Sequence, residues 1–309
     1  MLPSGTDAPG GEARKLHGVD ECARELVAVV GWRSQPTNAR LVEGWRRLGI
    51  RAELMCPPDA FRLLGPGDVA VVRLDVTPAL DGIEAGMAEI AALERAGVRV
   101  VNRPGALLAA HDKLEAARRF AAAGIAHPRT LHRTRLDEAR ALEPPFVLKP
   151  RFGSWGQDVM LCRDRAELKE CLATIAQRSW FHHQGVLIQE LIAPLGYDTR
   201  VVVAAGRVVG AGRREAAPGE WRTNVALGGR FVPTPPSEEE QVLAIAAARA
   251  IGAELVGVDL LPRPGREPVV IEVNGAVDFC EEEESLAGRS VVADTAAALA
   301  LGQPQLVAA

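Results

Sequence analysis

Two apolar runs in the stretch from Glu254 to Asn274, ELVGVDLLPRPGREPVVIEVN, contain the oxygen-bearing residues Asp259, Glu272 and Asn274. Asp259 interrupts the first apolar run, while Glu272 and Asn274 are two apart in the second and so share one strand face. Carboxylates in an apolar setting need a cation, a basic partner or protons. Oxygen ligands suit Mg²⁺ or Mn²⁺, particularly where phosphate oxygens complete the shell. An exposed hairpin with outward polar positions would give the same pattern.

The loop between the two runs predicts how these side chains meet. Its sequence, PRPGRE, has the residues that a hairpin connection favours. If Pro262 to Glu267 form the loop, Asp259 falls nearly opposite Val270 and diagonal to Glu272. We therefore expect the oxygen ligands on one patch of a twisted hairpin.

Lysine is rare in a chain that otherwise uses arginine as its basic residue. It occurs at Lys15, Lys113, Lys149 and Lys169. Lys149 ends the apolar strand FVLK, and Lys113 follows Asp112, a predicted helix N-cap. A cation at a helix start opposes the helix dipole, so a solvated first-turn lysine is not favoured at Lys113. A compact ammonium that reaches a phosphate is the alternative.

A glycine-rich loop follows Lys149. Gly153, Ser154, Trp155 and Gly156 lie between two predicted strands, and backbone N–H groups in such a loop can close over phosphates. The loop is not a Walker A motif, because GxxxxGK[ST] is absent and no helix follows directly. A simple hairpin turn is the alternative interpretation.

Arginines cluster around a second predicted hairpin, Tyr197–Arg213, which turns at Ala205-Gly206. Asp198 and Arg200 face the same way along its first strand, and Arg214 follows its second. Converging arginines would repel one another unless an anion lay between them. Solvent-exposed arginine is the alternative in a chain so rich in this residue.

The elements around these motifs predict an α/β protein. Strands are expected at Leu26–Gly31, Arg51–Met55, Val69–Leu74 and Val98–Asn102, with helices near Asn38–Leu48 and Ile83–Ala96. Their alternation indicates a small parallel α/β lobe that ends near residue 103 and lacks a GxGxxG motif. Further helices are expected near Arg165–Ala176, near Glu238–Ile251 beneath the carboxylate hairpin, and over Asp278–Leu301. The acidic run Glu281–Glu284 is a solvated face or lies near a cationic substrate.

The composition is that of an ordinary globular protein, with 48% hydrophobic and 25% charged residues. A net charge of -4 argues against nucleic-acid binding. Five scattered cysteines without a CxxC motif indicate reduced thiols and a cytoplasmic location. No apolar stretch is long enough for a membrane helix. Residues 1–24 are expected to be a disordered tail.

The motifs HDK, FVLKP, GSWG, IQELI, YDTR, WRTNVALGG, VGVDLL and IEVN, in this order, resemble the ATP-grasp superfamily. The resemblance covers about residues 25–303 and is strongest to its RimK/LysX-type amino-acid ligases. It implies an ATP-grasp fold of class α/β, with three lobes and ATP held between two α+β lobes. The implied bounds are 25–103 for the N-terminal parallel-sheet lobe, 104–186 for the central lobe and 187–303 for the C-terminal lobe with the metal site.

The resemblance also implies roles for individual residues at the nucleotide. Lys113 and Lys149 look like the lysines that contact the ATP phosphates and the adenine side. The remaining nucleotide contacts implied are Gly153, Ser154 and Gly156 in the phosphate loop, Gln189, Glu190, Leu191 and Ile192 at the adenine, Asp198 near the ribose, and Arg222 to Asn224 near the γ-phosphate and substrate.

The implied catalytic residues are Arg200, Arg214 and Lys149, and the implied ligands of two Mg²⁺ (or Mn²⁺) ions are Asp259, Glu272 and Asn274. The implied reaction has a carboxylate attack the γ-phosphate, which gives an acyl phosphate and ADP. An amine then attacks the carbonyl, phosphate leaves and an amide forms. The implied partners are an amino acid and a carboxylate acceptor (a peptide, carrier protein or small metabolite), in a homodimer or homotetramer.

Two other functions remain open. An ATP-grasp kinase would phosphorylate a hydroxyl and release no free phosphate. A catalytically silent ATP-binding regulator is the other, although both lysines and all three metal ligands are present. The segment IEVNGAVDF is more like the carrier-protein branch, and Gly275 removes a side chain that could touch the substrate. VALGG matches neither branch, so the amino acid and the acceptor stay open.

Overall fold

The computed structural model of the protein describes residues 25–32, 35–135, 143–278 and 288–302. The predicted tail, residues 1–24, and the acidic run, residues 281–284, lie outside the described residues. Within the described ranges the chain forms three sheets, one parallel and two antiparallel. No helix in these ranges is both long and apolar enough to cross a membrane.

The first sheet is parallel, with strand order β2-β1-β3-β4. Its strands are β1 (Val27–Val30), β2 (Ala52–Met55), β3 (Val69–Val72) and β4 (Arg99–Val101), and its helices are α1 (Pro36–Arg47), α2 (Pro57–Leu63) and α3 (Met87–Arg95). β1 and β3 are buried throughout, as expected of uninterrupted apolar strands covered on both faces. Helix α3 begins at Met87, later than predicted, because Ile83 pairs with Val76 in an isolated bridge.

Two helices connect this sheet to the next one. They are α4 (Pro104–His111), which was not predicted from the sequence, and α5 (Lys113–Ala122). The predicted N-cap is confirmed, because the Asp112 carboxylate accepts hydrogen bonds from the backbone N–H groups of Leu114 and Glu115. Lys113 is therefore the first residue of α5.

The second sheet is antiparallel, with strand order β5-β8-β6-β7. Its strands are β5 (Thr130–Arg133), β6 (Phe146–Pro150), β7 (Met160–Cys162) and β8 (Val186–Glu190), covered by α6 (Arg165–Ile175) and α7 (Ser179–Gln184). β6 is buried along its whole length and delivers Lys149 near its end. The glycine-rich loop, residues 153–159, joins β6 to β7 and is called the lid below.

The third sheet is antiparallel, with strand order β11-β10-β9-β12-β13. Its strands are β9 (Tyr197–Ala204), β10 (Arg207–Glu215), β11 (Arg230–Pro233), β12 (Leu255–Arg263) and β13 (Arg266–Asn274), with helices α8 (Glu238–Ile251) and α9 (Val291–Ala298). As predicted, α8 packs on the β12–β13 hairpin.

The register of the β12–β13 hairpin differs from the prediction. Asp259 pairs directly with Glu272, not with Val270, which lies opposite Leu260. Both strands run to a tight turn at residues 264 and 265, and two β-bulges each add one extra residue to β13. The prediction assumed that β12 and β13 pair without bulges, so the predicted partner of Asp259 was wrong by two residues.

Apolar cores and buried hydrogen bonds connect the sheets. One core cluster contains residues of β1, α1, β9 and α9, and another brings Leu80 of the first lobe against Phe146 and Trp180 of the second. The buried Asn102 side chain donates to the Leu255 carbonyl and accepts from the N–H groups of Glu254 and Leu255. The strand that carries Asp259 is thereby tied to the parallel sheet. The three lobe boundaries stay a prediction.

Candidate functional site

A cleft of about 960 Å³, partly open to solvent, lies between the second and third sheets. That volume includes open solvent, and concave clefts of this kind are where proteins usually bind small molecules. Most of the predicted site residues line it: Lys113, Lys149, Gly153, Ser154, Gly156, Gln189, Glu190, Leu191, Ile192, Asp198, Arg214, Arg222, Asn224 and Glu272. The cleft thus brings together side chains from α5, β6, β8, β9, β10 and β13.

Three of the predicted site residues do not line the cleft, namely Arg200, Asp259 and Asn274. They lie directly behind Glu272. Asp259 pairs with Glu272 across the hairpin, and the Asn274 Nδ2 atom lies 3.3 Å from the Asp259 Oδ2 atom. The structure therefore brings the three predicted metal ligands together, although only Glu272 faces the cleft.

Asp259 is fully buried and bonded to two arginines. Arg200 donates from Nε and Nη2 to the two carboxylate oxygens at 2.8 and 2.9 Å, and Arg214 Nη2 lies 2.8 Å from Oδ2. Burial alone would raise the pKa of Asp259, but the two guanidinium groups outweigh it and hold that pKa well below its usual range. The carboxylate is therefore ionised whenever the protein is folded near neutral pH.

Arg214 is itself held from a second side. Its Nε atom donates to Asp198 Oδ1 at 2.8 Å, and Thr223 Oγ1 donates to Asp198 Oδ2 at 2.6 Å. Burial would lower the pKa of Arg214, but Asp259 and Asp198 raise it well above its ordinary value. The Asp198 carboxylate thus fixes Arg214 at the cleft wall, in addition to lining the cleft itself.

Lys113 bridges the lid and the β12–β13 hairpin. Its Nζ atom donates to the Gly153 carbonyl at 2.5 Å and lies 3.2 Å from Glu272 Oε2. The start of α5 is anchored to β6, because Arg151 pairs with Asp112 and the Lys113 N–H donates to the Arg151 carbonyl. This anchor places two lysines from different elements at one end of the cleft.

Lys149 is 5% exposed. Burial, followed by repulsion from Lys113, lowers the pKa of Lys149 to about 7, while Glu272 acts in the opposite direction. A buried ammonium without a matching anion is costly. The side chain is therefore prepared to gain free energy from an anion placed in the cleft.

The cleft also has an apolar lining. Val147, Leu261 and Ile271 contribute apolar walls. Gln189 is buried, and its Nε2 atom donates to Thr130 Oγ1 at 2.8 Å, so the amide is engaged inside the sheet. Residues 190–192 extend from the end of β8 along the cleft edge. The cleft therefore combines a cationic end, at Lys113 and Lys149, with apolar walls.

The donor set at the hairpin fits an oxygen-liganded ion. Among the described residues no group of three or more His, Cys, Asp and Glu side chains is placed to hold a metal. The predicted set has two carboxylates and one amide, Asp259, Glu272 and Asn274, in register on neighbouring strands. Such an incomplete set suits Mg²⁺, which takes few protein ligands and completes its shell with water and phosphate oxygens.

A RimK-like ATP-grasp domain matches residues 110–294, which is more than half of the chain. The chain belongs to the RimK-like ATP-grasp family. This match confirms the resemblance inferred from the ordered motifs. It also spans the second and third sheets and therefore the whole cleft.

This RimK-like chain is similar to proteins named as ligases or synthases, and it shares its fold with a solved ATP-grasp ligase. The chain is 32% identical over 258 residues to a probable alpha-L-glutamate ligase of Xanthomonas oryzae pv. oryzae, covering 77% of this chain and 84% of that one. It is 33% identical over 219 residues to the beta-citrylglutamate synthase B of Danio rerio, covering 68% of this chain and 52% of that one. The ATP-grasp ligase PsnB, solved with a precursor variant, Mg and ADP, superposes with a TM-score of 0.64 at 19% identity. The superposition covers 90% of this chain and 97% of PsnB.

These findings confirm the predicted ATP-grasp fold, and this RimK-like protein is an ATP-grasp ligase. Several contacts of its site were not anticipated. Glu220 pairs with Arg222, Thr223 bonds to Asp198, and Arg151 anchors the start of α5. A carboxylate two residues before Arg222 in GEWRTN was the available signal for the first pair. The other two depend on tertiary contacts that spacing does not reveal.

Proposed function

We propose that this protein is an ATP-dependent carboxylate–amine ligase that forms an amide through an acyl phosphate. The observation that carries the proposal is the cationic end of the cleft. Lys113, Lys149 and Arg214 converge there beside the carboxylates Asp259 and Glu272. Cations and oxygen ligands in one place are what a transferring phosphoryl group requires.

The nucleotide is proposed to bind along the cleft in one orientation. The phosphates lie at the cationic end, near Lys113, Lys149 and the lid residues Gly153, Ser154 and Gly156. The adenine lies against Gln189, Glu190, Leu191 and Ile192, and Asp198 is near the ribose. Arg222 and Asn224 complete the wall on the phosphate side.

Asp259, Glu272 and Asn274 are the residues that would hold Mg²⁺ or Mn²⁺, in one or two ions. A bound ion supplies charge neutralisation at the transferring phosphoryl group. In the structure the Asp259 carboxylate is fully engaged by Arg200 and Arg214. If an ion were held at Asp259, N–H groups of Arg200 and Arg214 would become available to a substrate carboxylate or to the oxyanion of a tetrahedral intermediate.

The chemistry has two steps with balanced atoms. A substrate carboxylate oxygen bonds to the γ-phosphorus as the bond to the ADP oxygen breaks, giving an acyl phosphate. A neutral amine then adds to the carbonyl carbon, loses a proton, and phosphate leaves with the former carboxylate oxygen. Positioning and electrostatics account for the rate, with Lys149, Arg200 and Arg214 as the catalytic residues. No covalent protein nucleophile is needed.

Glutamate is the first candidate for the amine. The probable alpha-L-glutamate ligase and the beta-citrylglutamate synthase both carry glutamate in their names. The acceptor is proposed to be the carboxylate of a peptide, a carrier protein or a small metabolite.

The test is phosphate release from ATP and Mg²⁺ across a panel of amino acids and carboxylate acceptors, with product masses measured in parallel. Release that requires both one amino acid and one carboxylate, together with a product heavier by the residue mass, is the expected result. The double variant Asp259→Asn/Glu272→Gln is the blank. Release that is equal in the blank and the wild type would overturn the metal-site assignment.

A further inference from the structure

We propose that Glu220 and Arg222 form a latch that closes the lid onto the third sheet, so that Arg222 positions the lid. The lid here is residues 153–159, between β6 and β7. Arg222 Nη1 donates to the Gly156 carbonyl at 3.0 Å and to the Val159 carbonyl at 3.4 Å. One guanidinium thereby reaches across the cleft from the loop after β10 to two backbone carbonyls of the lid.

Glu220 fixes the direction of this guanidinium. Arg222 donates from Nε to Oε1 at 3.1 Å and from Nη2 to Oε2 at 2.8 Å. Glu220 Oε1 also accepts from the backbone N–H groups of Trp221 and Arg222, which restricts its own rotation. The forked geometry leaves Nη1 free to face the lid, a task for which lysine has no equivalent.

The charge of Arg222 is satisfied without a phosphate. The carboxylate of Glu220 faces its guanidinium, and Arg222 lowers the pKa of Glu220 to about 2, so the pair is ionised at neutral pH. The ion pair with Glu220 and the two contacts with lid carbonyls therefore assign Arg222 to the lid.

The lid touches the opposite loop closely where the latch engages. A Cβ atom on Gly156 would lie 2.7 Å from Asn224 Oδ1 and 3.1 Å from Leu227 Cδ1, and its φ is +72°. At its other end the lid is fixed to the second lobe, since Asp158 pairs with Arg178 and accepts from Trp180 Nε1. The tip is thus the part that the latch can release.

The role of the latch follows from the chemistry proposed above, on which this step rests. An acyl phosphate is lost if water reaches it before the amine does, and a closed lid excludes water. Arg222 is accordingly a positioning residue, and its loss should change how ATP consumption divides between amide formation and hydrolysis.

The first measurement is hydrogen exchange on the nucleotide-free protein, comparing wild type with Arg222→Ala and Arg222→Lys. Amides of residues 153–159 should exchange about tenfold faster in Arg222→Ala, as expected from losing hydrogen bonds of ordinary strength. Arg222→Lys should fail to restore them. Arg230→Ala is the matched control, because Arg230 pairs with Glu215 on the same lobe. Unchanged lid exchange in both Arg222 variants would overturn the latch.

The second measurement is the ratio of amine-independent to amine-dependent phosphate release. The latch predicts at least about a fivefold rise in this ratio in Arg222→Ala and about the wild-type ratio in Arg230→Ala. An unchanged ratio would overturn the water-exclusion role. The latch and the ligase reaction can be rejected independently. If the lid of Arg222→Ala exchanges faster but the wild type forms no amide, the latch is retained and the ligase reaction is rejected. If lid exchange is unchanged but the wild type forms the amide, the ligase reaction is retained and the latch is rejected.

Discussion

Asp259 and Glu272 face each other across the β12–β13 hairpin, yet each meets a different set of cations. Asp259 is fully buried against Arg200 and Arg214, whereas Glu272 faces the cleft and lies 3.2 Å from Lys113 Nζ. Two carboxylates so close together would repel each other without these partners. The hairpin therefore presents Glu272 to the cleft and keeps Asp259 buried between the two arginines.

This difference in burial predicts unequal stability costs for two similar variants. Asp259→Asn removes a fully buried carboxylate that pairs with Arg200 and Arg214 and should lower the free energy of unfolding by about 3 kcal/mol. Glu272→Gln removes one partly exposed ion pair and should cost about 1 kcal/mol or less. Urea denaturation of both variants measures the difference.

Glu267→Gln is the matched control for this comparison, because Glu267 is an exposed carboxylate on the same strand. It should leave both stability and ATP turnover near wild type. Equal stability losses in Asp259→Asn and Glu272→Gln would contradict the burial argument. We expect both of these variants to lose Mg²⁺-dependent turnover.

The depressed pKa of Lys149 predicts a pH-dependent stability. With a pKa of about 7 in the folded state, against about 10.4 in an unfolded chain, the folded protein binds fewer protons between these values. Burial of the charged Lys149 therefore lowers the free energy of unfolding by its full amount below pH 7. This cost decreases as the pH rises through the window, so the free energy of unfolding increases with pH.

Lys149→Met removes this penalty while keeping most of the side-chain volume. We expect the stability difference, variant minus wild type, to be largest below pH 7 and to shrink by pH 9. Denaturant unfolding at several pH values measures it. A difference that is constant with pH would contradict the shifted pKa. The same variant should lose nucleotide affinity at every pH.

The close contact of the lid predicts a specific effect of Gly156→Ala. At φ +72° an alanine costs about 1 kcal/mol. Its Cβ would also meet Asn224, so the lid could not keep its place, and kcat/KM for ATP should fall at least about tenfold. Steady-state kinetics are the measurement.

Gly206→Ala separates backbone strain from the clash. Gly206 has a φ of +75° in the β9–β10 turn, and a Cβ added there would meet no atom within 4 Å. The variant should show the strain in stability but leave kcat/KM near wild type. Equal kinetic losses in the two variants would show that strain, and not lid contact, is responsible.

Much of the fold followed from the sequence because its signals are local. Uninterrupted apolar strands, the Asp112 cap and the Ala205-Gly206 turn are each specified by neighbouring residues, and the structure has them. Helix α4 was missed, because it is almost wholly apolar and lacks an amphipathic pattern. Its helical state depends on packing between lobes.

The candidate site was predicted in content but not in geometry. Residue types and order pointed to the lysines, the glycine-rich loop and the carboxylates of the β12–β13 hairpin, whose roles stay a prediction. The bulges that bring Asp259 opposite Glu272, and the burial that places Arg200 behind the cleft wall, depend on tertiary packing. The pairing of Arg222 with Glu220 was missed for a related reason, since an arginine in a polar loop looks the same whether it meets a phosphate or a carboxylate.

The most direct test of the ligase proposal follows a single oxygen atom. The acceptor is prepared with ¹⁸O in its carboxylate and incubated with ATP, Mg²⁺ and the amine, and the released phosphate is analysed by mass spectrometry. An acyl-phosphate ligase must transfer one ¹⁸O atom to phosphate for each amide formed. Amide formation with unlabelled phosphate, or ADP formation without free phosphate, would contradict the proposed reaction.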